Sequence, residues 1–240
     1  QADYYQATRG VGNGDYHLIV YAPSSIQEAV DMMSRAFALA EEYRNPVMLL
    51  ADGMLGQMME PVVLPDSIPA VKQEELSKSK PWALTGTKEE RLHNVIRSLY
   101  LKADELENRI LTMDEKYQKA RAELAEYEAT DLSDAEVVFV AYGSTARITE
   151  EAIDLLEEEG IKSGMIRPVS LWPYPYEAFD KIPESVKAVI SVELSRGQMI
   201  DDVRIGCRGR FPVSLSSRVG GILITPPEIA ADAKKVLGVK

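Results

Sequence analysis

The sequence contains one cysteine and two histidines, so side chains that bind metals or form disulfides are scarce. Cys207 has no second cysteine with which to form a disulfide inside the chain. His17 and His93 lie far apart and far from Cys207, a spacing unlike any zinc motif. Nearby arginines would favour a Cys207 thiolate, but a lone cysteine at a helix end is more often inert. We therefore expect no metal held by this chain alone and assign no catalytic residue.

Positive charge and long apolar runs are also scarce. The chain has 27 lysines and arginines against 38 aspartates and glutamates, a formal net charge of -11. Such an acidic surface repels phosphate backbones, which argues against a nucleic-acid partner. Apolar runs fall short of the roughly 20 residues that span a bilayer, and no signal segment opens the sequence. We expect a cytoplasmic protein with no membrane partner.

Residues 1–64 contain a strand, a helix and a second strand. Residues 18–22 and 47–51 are short apolar runs typical of buried strands. Between them, Ser24 or Ser25 is predicted to cap a helix, with Glu28 three residues after Ser25 as in a capping box, and Asn45-Pro46 ends the helix. The helix is predicted to bury the residues that recur at spacings of three and four: Ile26, Val30, Met33, Phe37 and Ala40. This unit is the building block of a parallel sheet.

Residues 65–131 have a different composition. Several prolines make residues 61–100 a linker, although Trp82 indicates that part of it is ordered. Apolar residues then recur in a heptad pattern: Leu106, Ile110, Met113, Tyr117, Ala120, Leu124 and Tyr127. This pattern predicts one continuous helix over residues 103–128. The apolar stripe either packs on its own chain or pairs with a partner subunit.

Residues 132–240 alternate again between strands and helices. Strands are predicted at 137–141, 163–167, 188–192 and 213–216, whereas prolines favour an irregular path through residues 171–175. The intervening helices indicate a second open α/β sheet. Ser144 or Thr145 is predicted to cap the helix after the first of these strands. The alternative is that the amides there hold an anion.

The loop from residue 52 to residue 61 is the main candidate site. It follows a predicted parallel strand, and open α/β sheets bind ligands at the carboxyl ends of their strands. Asp52, Gly53 and Glu60 are our candidate binding residues in this loop. Three methionines in the same loop suggest an adaptable contact surface. The alternative is that these methionines fill a seam between two domains.

Many segments resemble the alpha subunit of 2-oxoacid:ferredoxin oxidoreductases. They lie at residues 1–8, 14–16, 21–25, 44–47, 52–61, 141–147, 166–168, 171–173, 192–193, 196–199 and 220–221. The resemblance implies that residues 1–64 are the C-terminal part of a pyrimidine-binding domain, as in thiamine enzymes. Residues 65–131 would then be a linker with a long charged helix. Residues 132–240 would form an α/β domain like the C-terminal domain of transketolase.

The resemblance also implies an activity, cofactors and partners. The family decarboxylates a 2-oxoacid oxidatively with coenzyme A and passes electrons to ferredoxin. Thiamine diphosphate with magnesium would be shared with, or held by, a beta subunit. Asp52, Gly53 and Glu60 would be cofactor-binding residues at the interface with that cofactor-bearing subunit. Iron–sulfur clusters would lie on partner subunits, in agreement with the lone cysteine. Gamma and delta ferredoxin-type subunits would complete the complex.

Some family motifs are missing from this sequence. The Tyr-Pro-Ile-Thr-Pro and Gly-Pro-Ser-Thr-Gly segments, and the glutamate that activates the aminopyrimidine, would precede Gln1. We therefore expect an N-terminally incomplete chain that is not active alone. Residues 81–87 and the charged helix resemble the 2-oxoisovalerate type more than the 2-oxoglutarate type. The alternatives are a 2-oxoglutarate-specific homologue, a non-catalytic assembly module, or another thiamine enzyme.

Overall fold

The computed structural model describes residues 1–10, 12–64 and 78–239. The helices are α1 (Tyr4–Arg9), α2 (Ile26–Tyr43), α3 (Ala103–Leu124), α4 (Ser144–Glu158), α5 (Met199–Cys207) and α6 (Pro226–Leu237), with 3-10 turns at Leu55–Gln57 and Tyr176–Lys181. The strands are β1 (Ile19–Tyr21), β2 (Val47–Leu49), β3 (Tyr127–Thr130), β4 (Val137–Ala141), β5 (Ser163–Pro168), β6 (Ser170–Trp172), β7 (Ala188–Glu193) and β8 (Val213–Ser217).

The first sheet has the strand order β2-β1-β6. Strands β1 and β2 run parallel, as the strand–helix–strand pattern predicted. Strand β6 comes from the later part of the chain and pairs antiparallel with β1, with Val20 opposite Trp172. The prediction that residues 171–175 are irregular was therefore wrong for Leu171 and Trp172. A proline lacks its own amide hydrogen, so Pro173 limits strand pairing only after Trp172.

The second sheet has the strand order β3-β5-β4-β7-β8, in which β3 alone is antiparallel. Side chains of β4 alternate between two apolar clusters, with Val138 and Val140 on one face and Phe139 on the other. Helices α4 and α6 contribute to the Phe139 side, and α5 to the opposite side. This arrangement confirms the α/β fold class with parallel sheets. After β5 the chain crosses to the other side of β4, which creates a switch point between β4 and β7.

Helix α2 has the predicted start but not the predicted buried face. The Ser25 hydroxyl accepts a hydrogen bond from the Glu28 amide at 3.1 Å. The prediction that Met33 and Phe37 are buried was wrong, because they are 50% and 68% exposed. The helix buries a neighbouring set of side chains instead: Met32, Ala36, Leu39 and Tyr43. The helical period was correct, but both faces of the helix carry large apolar side chains, and periodicity alone does not show which face is buried.

Helix α3 ends at Leu124, so the prediction of a helix through residue 128 was wrong at its last turn. Tyr127 fits the heptad spacing, but it begins β3, which pairs with β5. Pairing at the sheet edge is the tertiary contact that overrides the helical pattern there. Tyr117 and Leu124 are buried in the chain's own core, whereas Leu106 near the start of α3 is 41% exposed. The stripe therefore packs on its own chain only in its second half.

The linker is ordered around Trp82, as predicted. Trp82 is partly buried, and the Arg44 guanidinium lies 5.0 Å from the centre of its ring. The prediction for residues 65–77 lies outside the described residues. Among the helices that are described, none is both long enough and apolar enough to span a bilayer.

Candidate functional site

Asp52 joins the first sheet to the second. It lies three residues after β2, at the carboxyl end of the first sheet, and is 8% exposed. Its carboxylate accepts hydrogen bonds from the amide and hydroxyl of Ser144, at 2.9 Å and 2.6 Å. It also accepts from the Leu55 amide at 3.0 Å and from the Gln1 side-chain amide at 3.4 Å. A carboxylate with this many donors is held in one position.

The Asp52 carboxylate is the anion at the N-terminus of α4. The prediction that Ser144 or Thr145 caps this helix was wrong, since neither side chain makes a capping bond. The alternative was that the amides there hold an anion, and the Ser144 amide does bond to the Asp52 carboxylate. Gly143 makes room for it, because a Cβ at this position would lie 2.9 Å from Asp52 Oδ2. Its φ of +63° also favours glycine.

The surroundings of Asp52 favour its ionised form. Burial by itself would raise the pKa of Asp52. The hydrogen bonds from Ser144, Leu55 and Gln1 outweigh burial and lower that pKa below its ordinary value. Asp52 is therefore ionised in the folded chain at neutral pH.

Gln1 fills the crevice between β4 and β7. Its side-chain amide donates to the Tyr142 carbonyl oxygen at 2.9 Å, and its side-chain oxygen accepts from the Leu194 amide at 2.9 Å. Tyr142 and Leu194 directly follow β4 and β7. A switch point at this position is the usual ligand site of an open α/β sheet. Here the Gln1 side chain occupies it, so the space for a partner or ligand lies outside this crevice.

Glu60 holds the other end of the candidate loop. One of its carboxylate oxygens accepts from the Ile26 amide at 2.9 Å, at the start of α2. The other forms an ion pair with Arg147 at 2.5 Å, on α4. The Ile26 amide and Arg147 lower the pKa of Glu60. Asp52 and Glu60, which we call the two anchor carboxylates, therefore fix both ends of the loop.

A cleft of about 470 Å³ opens beside this loop. Its walls come from the loop, from Gln1 and Leu194, and from the segment before α6: Asp52, Gly53, Met54, Gln57, Met58, Val219, Gly221, Ile222 and Leu223. Gly53 is exposed, and a Cβ there would meet nothing within 4 Å. Met59 is 97% exposed. The free middle of the loop is thus mostly apolar and faces outward.

These residues do not fit a diphosphate–magnesium group. Among the described residues, no lysine or arginine lines the cleft, and the one carboxylate there, Asp52, already accepts from Ser144, Leu55 and Gln1. Glu60 is likewise engaged at both oxygens. Within the described residues there is no cluster of three or more acidic, histidine or cysteine side chains able to hold a metal ion. The cleft is suited to contact with an apolar partner.

Cys207 belongs to the apolar cluster that also contains Val20 and Val138. It is fully buried at the end of α5. Burial raises its pKa to about 11, and the opposing effect of Arg210 is smaller. The thiolate that nearby arginines would favour is thus suppressed, and the interpretation of an inert residue holds.

Sequence reasoning located the loop but missed most of its partners. Gln1 lies in a segment that resembles the family, but no sequence pattern indicated that its side chain would bridge the ends of β4 and β7. Arg147 lies in another such segment, but an arginine on a helix is ordinarily solvated, so its ion pair with Glu60 was not predicted. Ser144 did carry a signal, since a helix N-terminus can bind an anion. Its ligand was simply another residue of the same chain.

Two family models match this chain. Residues 1–130 match "Pyruvate flavodoxin/ferredoxin oxidoreductase, thiamine diP-bdg", and residues 135–229 match "Pyruvate:ferredoxin oxidoreductase core domain II". Ketoisovalerate oxidoreductase subunit VorB of Methanothermobacter marburgensis is 40% identical over 99% of this chain. This chain belongs to the 2-oxoacid:ferredoxin oxidoreductase family. The predicted resemblance is therefore confirmed.

Other relatives in this oxidoreductase family carry different substrate names. The 2-oxoglutarate synthase subunit KorA of Methanocaldococcus jannaschii is 34% identical over 95% of this chain. A solved 2-oxoglutarate:ferredoxin oxidoreductase from Magnetococcus marinus, with 2-oxoglutarate, coenzyme A and succinyl-CoA bound, superposes with a TM-score of 0.73 at 25% identity. That match covers 99% of this chain and 45% of the solved one. The chain spans 66% of the length of the VorB and KorA relatives named here.

Proposed function

We propose that this chain is an alpha-type subunit of a thiamine diphosphate-dependent 2-oxoacid:ferredoxin oxidoreductase. The reaction joins a 2-oxoacid and coenzyme A to give acyl-CoA and carbon dioxide, with two electrons passed to ferredoxin. The observation that carries the proposal is similarity along nearly the whole chain to subunits of such enzymes. A cytoplasmic location, and the domain boundaries at residues 64/65 and 131/132, are part of the same proposal.

The proposed substrate is 2-oxoisovalerate. Two ketoisovalerate oxidoreductase subunits are 40% and 39% identical to this chain, against 34% for the KorA subunit of Methanocaldococcus jannaschii. The second candidate is 2-oxoglutarate, favoured by the KorA relatives and by the solved structure that resembles this chain.

In this proposal the chain acts through a partner. Thiamine diphosphate and magnesium would be held chiefly by a beta subunit, and iron–sulfur clusters by gamma and delta subunits. The loop between the anchor carboxylates would contact the cofactor-bearing subunit through Gly53, Met58 and Met59. Two features support this role: the loop lies at the carboxyl end of the first sheet, and its exposed middle is mostly apolar.

Reconstitution tests the substrate. The full-length form would be co-expressed with beta and ferredoxin-type subunits, and CoA-dependent reduction of ferredoxin would be followed with 2-oxoisovalerate, 2-oxoglutarate and pyruvate. We expect the highest kcat/KM with 2-oxoisovalerate. If only 2-oxoglutarate is turned over, the substrate assignment changes to 2-oxoglutarate and the assignment to the enzyme family stands. Failure of the subunits to associate would refute the role itself.

Loop variants test the interface in that complex. We expect Met58→Ala combined with Met59→Ala, and separately Glu60→Ala, to weaken subunit association or reduce turnover. Each should leave the melting temperature of this chain little changed, because Met59 is exposed and a single surface ion pair contributes little to stability. Glu150→Ala, an exposed change on α4, is the control. If both loop variants assemble and turn over like the parent, the loop is an ordinary connection and its assignment to the interface is wrong.

Binding measurements test the dependence on a partner. We expect calorimetry to detect no micromolar binding of thiamine diphosphate with magnesium to this 240-residue chain. Binding should appear when a beta subunit is added. Micromolar binding by the chain alone would contradict the assignment of the cofactor to the partner.

A further inference from the structure

An asparagine–glycine pair lies in the segment between α1 and β1. Asn13 and Gly14 are both exposed and belong to no helix or strand. A Cβ at Gly14 would meet nothing within 4 Å, and the φ of Gly14 is +111°. Within the described residues, no hydrogen bond engages the Asn13 side chain. The fold therefore places no contact on this pair that would keep the side chain away from the next backbone amide.

The two residues hold the two reacting atoms of a ring closure. The backbone nitrogen of Gly14 can approach the side-chain carbonyl carbon of Asn13, because glycine has no Cβ to obstruct it. A bond forms between these atoms, and the Asn13 side-chain nitrogen leaves as ammonia with the proton of the Gly14 amide. Water then opens the resulting cyclic imide at either carbonyl carbon. The product at residue 13 is aspartate or isoaspartate, and no oxidant or reductant takes part.

The other three asparagines of the chain are protected from this reaction. A proline follows Asn45, so no backbone N–H is available there to attack the side chain. The Asn94 side chain donates to the carbonyl oxygens of Pro81 and Ala83, at 2.8 Å and 3.1 Å. Asn108 lies inside α3, where helical hydrogen bonding engages the amide of the next residue. These three residues are internal references for Asn13.

The one aspartate–glycine pair of the chain, Asp52-Gly53, gives a further contrast. An aspartate closes the same ring only when its carboxyl group is protonated, because water is then the leaving group. The hydrogen bonds from Ser144, Leu55 and Gln1 lower the pKa of Asp52 and hold its oxygens in place. The fold thus protects this pair, whereas it leaves Asn13 and Gly14 open.

We propose that Asn13 is a site of spontaneous deamidation, which converts the folded chain with time into forms that carry one more negative charge. Asparagine is among the thermolabile residues, and here the fold does not shield it. The isoaspartate form also adds a methylene group to the backbone at residue 13. Because residue 13 is exposed, the modified chain should keep its melting temperature. The inference is independent of the proposed function, because it uses no residue of the candidate loop or cleft.

The experiment is timed ageing of the folded chain at pH 7 and pH 9, followed by proteolytic digestion and mass spectrometry of the peptides. Chromatography separates the aspartate and isoaspartate products. We expect the Asn13 peptide to deamidate about tenfold or more faster than the Asn94 and Asn108 peptides. The rate should rise with pH, because the attacking nitrogen must lose its proton. Equal rates at the three asparagines would overturn the proposal.

Ageing in urea separates the role of the fold from the reactivity of the sequence. We expect Asn13 to react at a similar rate in the folded and the unfolded chain, whereas Asn94 should react faster once its hydrogen bonds are lost. If the rate at Asn13 in the folded chain is about tenfold or more below its rate in urea, the fold shields the pair and the proposal is wrong.

Two variants test the two reacting groups. Gly14→Ala should slow the reaction at residue 13 by about tenfold, because a Cβ obstructs the attacking nitrogen. Asn13→Gln should abolish the new acidic form seen by ion-exchange chromatography. Gly56→Ala, at another glycine with open space around it, is the control and should age like the parent. Parent-like ageing of Gly14→Ala, or an unchanged acidic form in Asn13→Gln, would refute the assigned site.

Discussion

Replacing Asp52 should uncouple the two sheets. Asp52→Ala removes an acceptor that serves the Ser144 amide, the Ser144 hydroxyl and the Leu55 amide. The hydroxyl can rotate to find another partner, but the two amides cannot. A buried donor left unpaired costs about 1–3 kcal/mol, and loss of a helix cap typically costs about 1 kcal/mol. We therefore expect Asp52→Ala to lower the free energy of unfolding by about 3 kcal/mol.

Asp52→Asn should cost less, about 1–2 kcal/mol, because its amide oxygen still accepts but its charge is lost. The assay is urea unfolding followed by circular dichroism at pH 7. Asp154→Ala and Asp154→Asn are the matched controls, since Asp154 is exposed on α4. If Asp52→Ala unfolds within about 0.5 kcal/mol of its control, the carboxylate does not hold the sheets together.

The pH dependence gives an independent check. The pKa of Asp52 is lowered on folding from an ordinary value of 3.8. The ionised carboxylate therefore stabilises the fold above that value, and the stabilisation is lost as pH falls through the folded pKa. The difference between the parent and Asp52→Asn should be full at pH 7 and shrink below about pH 4. If the difference in free energy of unfolding between the parent and Asp52→Asn grows toward low pH, the pKa of Asp52 is not lowered on folding.

Three further predictions concern other parts of the chain. Cys207, with its pKa raised to about 11, should react with a thiol reagent at pH 8 far more slowly in the native chain than in urea. Gly164→Ala should lower the free energy of unfolding by about 1–3 kcal/mol, because its Cβ would lie 2.5 Å from the Asp131 carbonyl oxygen; Gly56→Ala, with open space around it, should not. Hydrogen exchange should be slow in the second half of α3, where Tyr117 packs, and faster in its first half. Rapid labelling of Cys207 in the native chain would contradict the first prediction. Equal losses of unfolding free energy in Gly164→Ala and Gly56→Ala would contradict the second, and uniform exchange along α3 the third.

The sequence predicted the order of elements better than their partners. Periodicity located α2, but it could not choose between Met32 and Met33, because both faces of the helix carry large apolar side chains. It also extended α3 through Tyr127, where pairing of β3 with β5 decides the structure. Both errors arise where a distant contact overrides a local pattern, and such contacts are not encoded in spacing.

In the candidate site, too, the local position was predictable from the sequence and the distant partners were not. The strand–helix–strand pattern alone predicted that the loop after β2 lies at the carboxyl end of a parallel sheet. It did not predict the bond between Asp52 and Ser144, because the two residues are 92 positions apart. The sequence assigned both carboxylates to a partner interface. In the folded chain their oxygens bond to Ser144, Ile26 and Arg147, and the assignment to a partner interface stays a prediction.

A loop fixed at both ends has a consequence for partner binding. The anchor carboxylates hold residues 52 and 60 in place, while between them Met58 lines the cleft and Met59 is exposed. A segment that is already ordered loses less conformational entropy when a partner binds, so its affinity is higher. Changes at Asp52 should therefore weaken subunit association without removing any contact to the partner. Changes at Met58 and Met59 should weaken it by removing contacts, and only the Asp52 variants should also lower the stability of the free chain.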